Sequence, residues 1–571
     1  MWPERTWMSF LDQWFDPGLR FERAYADHLL KRFEAIPWPG GTRVDLNREF
    51  VPVRGLDAAR AGRPRLLLTG AAGAGKTTAL AHLALVQARR LAAGDRAARL
   101  PVFLAARDFA PDRLPQFADL PRALKLGDTL AAQCPKDFFS QAIGSNRALV
   151  LIDDIDSLSS EAIEPWLAEF GATPVIATAQ SPIPNLPVFP LPGFRDDDIQ
   201  LFAEKWSRAN AAGFVAALKS AGVPRSLTAN PLTLTLLTRV WNMNGPLPAR
   251  RTALFDAYAR QVLTDGDQTA QLLESVALAR LRGDPAANGL LGKSRGFLRL
   301  ANHHTVEFTH DLWQHYFAAR GLRREHGRNL PDALLSDTRW SETLVFYASA
   351  GDASELVETL VARGDFALAG RVVAHAQEVQ ADLRASVTHE LIGRAWDGDS
   401  RATAALAELN SPDALEGLGA RLKDGDPRVR GRAAQLLGEL RLDRGLEYLL
   451  PQLRDRDGDV RDHVLAALGQ ARTDRVLEPL LVALRGDPRG GPVDTRLRVA
   501  AAQALAQVGS DKAVPALIVE LQVGEPEVRA VAAEALKRIF SPLMFKPLAT
   551  LAQTGDEETR RVAAEILNHN S

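Results

Sequence analysis

The sequence predicts a multidomain chain in which an α/β core is followed by an all-α repeat solenoid, and three observations predict it. The apolar run Leu66-Leu67-Leu68-Thr69 leads into the glycine-rich turn Gly70-Ala71-Ala72-Gly73-Ala74-Gly75, and then into Lys76-Thr77-Thr78 and an Ala- and Leu-rich helical stretch. Short apolar runs next alternate with helical patterns as far as Gln180, which is the pattern of parallel βαβ units. From Asn410 onward a similar segment recurs at an almost fixed period.

Whole-chain properties bound the reading. The 571 residues suffice for about four domains of ~150 residues each, every one with a sizeable core. A net charge of −1 gives no global basic footprint and so disfavours nucleic acid as a partner. Cys134 is the only cysteine, which rules out a disulfide framework or a thiolate metal site within one chain and fits a reducing cytoplasm. No apolar run approaches the roughly 18 residues of a transmembrane segment, and the amino terminus lacks a signal pattern.

In chain order, Trp7, Phe10, Leu11 and Trp14 share one face of a helix within Met1 to Phe15. Its polar face lacks Lys/Arg enrichment, so docking on the next domain is expected over membrane binding. A second helix is read at Phe21 to Phe33, and Phe50-Val51-Pro52-Val53 as a short strand. Then comes the turn before Lys76. Its spacing is that of a phosphate-binding loop: Gly70, Gly73 and Gly75 let successive N–H groups curl around an anion at a helix N-terminus. Lys76 would reach the β- and γ-phosphates of ATP or ADP. Thr77, with Thr78 beside it, would ligate Mg²⁺. Strands are expected at Leu100 to Leu104, Ala148 to Ile152 and Thr173 to Thr178. Asp153 follows the second of these, where it can enter the Mg²⁺ shell opposite Thr77, and Asp156 could activate a water.

Several further stretches match one family. The phosphate loop, Leu151-Ile152-Asp153-Asp154-Ile155-Asp156, Asn230-Pro231-Leu232, Leu247-Pro248-Ala249-Arg250-Arg251 with Phe255, and Phe308-Thr309-His310 with Tyr316-Phe317 come in one order. Together they resemble a NACHT-type STAND NTPase, of the bacterial NLR-like form with HEAT-like repeats. The resemblance implies a helical lid in which Pro231 packs near adenine, and a winged-helix domain whose His310 touches the β-phosphate of ADP. It also implies that exchange to ATP releases the lid, that protomers then self-associate, and that the output is signal transduction of an innate-immune kind, as in bacterial defence. The expected boundaries are an N-terminal helical segment at 1–49, a NACHT core at 50–190, a lid at 191–262, a winged helix at 263–325, a bridging region at 326–409 and the solenoid at 410–571.

Three departures limit the carry-over. Asp154 stands where a small residue is usual and Ser157 where Glu is usual. Gln180 stands where the family has the arginine of Thr-Ser-Arg. Loss of an arginine near the γ-phosphate weakens transition-state stabilisation, so weak ATP hydrolysis at most is expected. The alternative is a non-hydrolysing nucleotide-binding scaffold whose repeats dock a partner protein. Fewer than fifty residues precede the core, so the expected effector is the aromatic helix itself, a separate chain, or a part of a longer protein from which this sequence is cut.

The repeats are marked by Arg430, Arg461, Arg498, Arg529 and Arg560, at spacings of 31, 37, 31 and 31 residues. The glycine-rich stretch Arg489 to Asp494 accounts for the longer interval. Two helices per unit make a HEAT-like solenoid, in which small residues allow close helix packing. The recurring arginine is expected to tie adjacent turns together, and the outer surface to take an unknown protein or other ligand.

Overall fold

The computed structural model describes residues 16–53, 56–60, 63–109, 114–191, 193–207, 210–263, 267–284, 288–300, 306–327, 329–471, 473–485, 495–539 and 541–569. The aromatic stretch Met1 to Phe15 and the glycine-rich Arg489 to Asp494 lie outside them. By packing, the chain divides into two units: Met1–Ala249 with Leu254–Gln314, and Arg250–Ala253 with His315–Ser571.

The first unit is built on a parallel sheet. Its strands are β3 (Arg65–Thr69), β4 (Leu100–Ala105), β5 (Ala148–Asp153), β6 (Val175–Ala179) and β7 (Val188–Pro190), in the order β4-β5-β6-β3-β7. β5 and β6 are buried along their whole length, as expected of strands covered on both faces. A separate antiparallel pair, β1 (Ala35–Trp38) and β2 (Thr42–Asp45), precedes the sheet. Phe50 to Val53, read from sequence as a strand, is not one: Pro52 cannot donate to a ladder, and the segment runs as irregular chain instead.

Among the helices, α1 (Pro17–Phe33) buries Phe21, Tyr25, Leu29 and Phe33; Phe21 and Tyr25 meet the ring of Phe139, Phe33 meets Phe103 of β4, and the Tyr25 hydroxyl donates to Pro101 O at 2.6 Å. α2 (Lys76–Ala92) follows the glycine loop. Beyond the sheet come α3 (Asp196–Trp206), α4 (Ala211–Ser220), α5 (Pro231–Asn242), α6 (Arg251–Val262) and α7 (Asp267–Arg282). The hairpin of β8 (Leu298–Leu300) and β9 (Val306–Phe308) then leads into α8 (Asp311–His326). Trp313 gathers Phe255 at 4.5 Å and Phe297 at 4.8 Å between ring centroids, a close-packed aromatic centre for this region.

The second unit is all helical among its described residues. Its amino-terminal part is tied by charge. Glu342 pairs with Arg251 at 2.9 Å and with Arg371, and Arg371 reaches Glu408 at 3.1 Å. Burial alone would raise the Glu342 carboxyl, but the two guanidinium groups outweigh it and hold it down to about 2. The repeats then stack their second helices: α9 (Pro427–Leu440), α10 (Gly458–Gln470), α11 (Thr495–Val508), α12 (Pro526–Ile539) and α13 (Glu557–His569). A Cβ at Gly438 would come within 2.6 Å of Ala467, so only glycine lets α9 and α10 approach this closely. Among the described residues no helix is long and apolar enough to cross a membrane.

Candidate nucleotide site

The strand order brings the candidate residues together. The glycine loop leaves β3, Asp153 ends β5, and β6 runs between those two strands, so the loops face one another at the carboxyl ends of the sheet. Gly73 and Gly75 both take positive φ, +79° and +88°, which the curl of the loop requires. Gly75 caps α2 without a side-chain hydrogen bond, which leaves the first N–H groups of the helix directed at the loop. Lys76 is buried, and its Nζ donates to Gly70 O at 2.6 Å and Ala71 O at 3.3 Å. Burial pulls the Lys76 ammonium below the usual lysine range, against the opposing pull of Asp154, Asp156, Asp153 and Asp311.

Thr77 and Asp153 meet as the spacing predicts: Thr77 Oγ1 donates to Asp153 Oδ1 at 3.1 Å. Asp153 is 2% exposed, and the same oxygen accepts from Thr178 Oγ1 at 2.7 Å. Thr178 in turn accepts from the Asp154 N–H at 2.8 Å, so one hydroxyl orders both acidic residues. Thr78 is half-buried in the first turn of α2. Asp156 is exposed and accepts from the Gln180 N–H at 2.7 Å, which employs it in joining two loops.

Asn230 and Pro231 bring α5 onto the loop. A Cβ at Gly75 would lie 3.7 Å from Pro231 Cγ. His310 Nδ1 accepts from the Leu312 N–H at 3.1 Å, which leaves the ring proton on Nε2 and makes that atom a neutral donor. Burial pushes His310 down to about 4; the positive charges of Lys76 and Arg107 push the same way, while Asp311 opposes.

Sequence reasoning did not single out Arg107. It follows β4 and meets Asp154 at 2.6 Å, Asp153 at 3.8 Å and Asp311 at 3.8 Å. Burial works against its charge, and Asp154 and Asp311 more than offset that. Burial raises the Asp154 carboxyl to about 6, with repulsion from Asp153 adding and Arg107 opposing. The signal available in sequence was an arginine two residues beyond an apolar strand. Nothing there linked it to Asp153 and Asp154, which the strand order supplies, or to Asp311, which opens α8 outside the sheet.

The donor set fits a nucleotide with its magnesium. An ammonium and a helix N-terminus suit phosphates, and one hydroxyl with one carboxylate is the sparse protein share that Mg²⁺ takes when phosphates and water complete its shell. No cluster of three or more metal-ligating side chains occurs among the described residues.

Comparison with known proteins identifies the carboxy-terminal part. The family model for HEAT repeats matches residues 389–469, 415–491, 446–517 and 491–568. The carboxy-terminal region consists of HEAT repeats. No curated protein matches the chain. Among solved structures, an engineered protein is 20% identical over 38% of this chain and 95% of its own, with a TM-score of 0.23. Human deoxyhypusine hydroxylase in complex with glycerol is 18% identical over 38% of this chain and 99% of its own, with a TM-score of 0.15. Kap121p bound to Ste12p is 15% identical over 90% of this chain and 52% of its own, with a TM-score of 0.24. Likeness at this level decides nothing about function.

In the HEAT repeats the recurring arginines tie neighbouring turns. Arg430 pairs bidentately with Asp455 of the next repeat, both bonds at 2.8 Å, and also donates to Asp424 O at 3.0 Å. Arg498 pairs with Glu520, and Arg529 with Glu558 at 3.0 Å. Arg461 and Arg560 instead donate to turn carbonyls, of Asp455 at 2.9 Å and Gly555 at 3.0 Å.

Proposed function

We propose that the chain is an ATP/ADP-switched signalling protein of the NACHT-type STAND class, closed with ADP and self-associating with ATP, and that its HEAT repeats receive the activating protein or other ligand. The contact between Thr77 and Asp153 carries this reading, because it joins the helix after a glycine-rich loop to a buried strand-end carboxylate, the hydroxyl and carboxylate that would hold Mg²⁺. Lys76 and the loop N–H groups would hold the phosphates, Pro231 would flank the base, and His310 would donate a hydrogen bond from its Nε2–H to a phosphate oxygen. In this reading residues 191–262 form the lid and 263–325 the winged-helix domain. A switch follows from a γ-phosphate changing the charge balance among Lys76, Arg107, Asp154 and His310. Native mass spectrometry before and after ATP and Mg²⁺ tests it. The expected result is an ADP-bearing monomer that becomes an ATP-bearing oligomer; a chain purified and incubated without any bound nucleotide would defeat it.

One observation favours a second reading, a non-hydrolysing nucleotide-binding scaffold. The Asp156 carboxylate is occupied by the Gln180 N–H, which lowers its capacity as a base for water. Single-turnover measurement of γ-³²P release separates the two: nucleotide retained without any release over hours supports the scaffold.

A further inference from the structure

The outer side of the glycine loop is held by the amino terminus of α5, through both halves of one amide. Asn230 Oδ1 accepts from the N–H groups of Leu232 at 3.0 Å and Thr233 at 3.3 Å, capping the helix. Asn230 Nδ2 donates to Ala72 O at 3.0 Å, and the Leu232 N–H lies 3.2 Å from Gly73 O. The contact leaves no slack: a Cβ at Gly73 would lie 2.8 Å from both Asn230 Oδ1 and Leu232 Cβ.

In a trans peptide the carbonyl and the following N–H point opposite ways. Holding Ala72 O against α5 therefore turns the Gly73 N–H to the inner side of the curl, where an anion would sit. We propose that Asn230 is a positioning residue for the binding of a nucleoside di- or triphosphate, acting on the loop through its Nδ2 donor while its Oδ1 does the separate work of capping α5. The inference rests on the nucleotide reading of the loop. An amide supplies the acceptor and the donor on two separate atoms, so one can cap α5 while the other reaches the loop; a serine or threonine hydroxyl has a single oxygen for both.

Asn230→Asp separates the two tasks. Aspartate caps helices as well as asparagine does, but it puts a carboxylate where Ala72 O needs a donor. ADP affinity would be measured by fluorescence of a labelled ADP with Mg²⁺, in the full chain, for wild type, Lys76→Ala, Asn230→Asp and Asn230→Ser. Asn230→Asp should melt at the wild-type temperature without nucleotide, yet bind ADP roughly tenfold more weakly at pH 7.5. A purely structural defect would instead lower the nucleotide-free melting temperature together with the affinity. Should Asn230→Asp fail to fold, Asn230→Ser keeps a capping oxygen without reach to the loop and must show the same weakening. Wild-type affinity in the serine variant, or in a well-folded aspartate variant at neutral pH, overturns the inference and leaves the nucleotide reading standing. If wild type binds no better than Lys76→Ala, the nucleotide reading itself fails, and the positioning role with it.

Discussion

Thr77 Oγ1 and Asp153 Oδ1 stand 3.1 Å apart although 76 residues separate them, and the oxygen they share is also held by Thr178. On the nucleotide reading proposed above, a buried carboxylate fixed by two hydroxyls would orient a magnesium shell from a position already set by the protein. Asp153→Asn keeps the size and one acceptor and removes the charge. Its ADP affinity in EDTA should stay near wild type, while the gain on adding Mg²⁺ should shrink by roughly tenfold, as read by titration calorimetry.

Lys76 lies buried beneath the loop with carboxylates at several sides, so its removal takes out the main cation available to a β-phosphate. Lys76→Ala should lower ADP affinity by about a hundredfold, the cost of losing charge-assisted bonds in a partly desolvated site. Nucleotide content of the purified variant, read by absorbance after acid release, checks it.

Two groups at the site titrate against each other. His310 is held down to about 4 from its ordinary 6.5, so as pH falls below 6.5 the unfolded chain takes up the proton first and stability drains away until about 4. Asp154 is held up at about 6 from its ordinary 3.8, so its contribution is full below 3.8 and is lost as pH rises through about 6; acidification restores it. His310→Asn keeps an acceptor for the Leu312 N–H and removes the titration. It should lose less stability than wild type between pH 7 and pH 5, by roughly 1 kcal/mol once partial exposure is allowed for. Asp154→Asn should show the reverse, a steeper loss. Thermal unfolding across that pH range reads both slopes.

How much of this was legible in the sequence depends on how local each relationship is. Gly70 to Thr78 is one continuous turn and helix start, so its residue types alone fix the loop and place Lys76 and Thr77. Asp153 was legible because an uninterrupted apolar strand ends at it. The tie from Thr178 and the contacts of Arg107 with Asp153 and Asp154 were not, since both depend on β5 lying between β4 and β6, and strand order is not written in spacing; the contact with Asp311 depends on where α8 starts. Phe50 to Val53 misled because a short apolar run resembles a strand, while Pro52 forbids the ladder. In the repeats the period was plain and so was the arginine at each mark. Which carboxylate each arginine meets was not, because Asp455, Glu520 and Glu558 occupy different points of the following unit.

That last difference makes the repeat junctions unequal and testable. Arg430 and Asp455 form a bidentate pair with both side chains nearly closed to solvent, whereas Arg529 faces carboxylates that are themselves largely exposed. Removing one member of a closed pair strands the other charge, while removing both together restores balance. Arg430→Met should therefore lower the melting temperature of the repeat region, and Arg430→Met with Asp455→Leu should recover most of it. Arg529→Met should change it little, since exposed pairs contribute little. Hydrogen exchange across α9 and α10, compared with α12 and α13, distinguishes the junctions: faster exchange confined to the first pair of helices in Arg430→Met is the expected result, and equal changes at both junctions would show that the arginines act through the common repeat geometry instead.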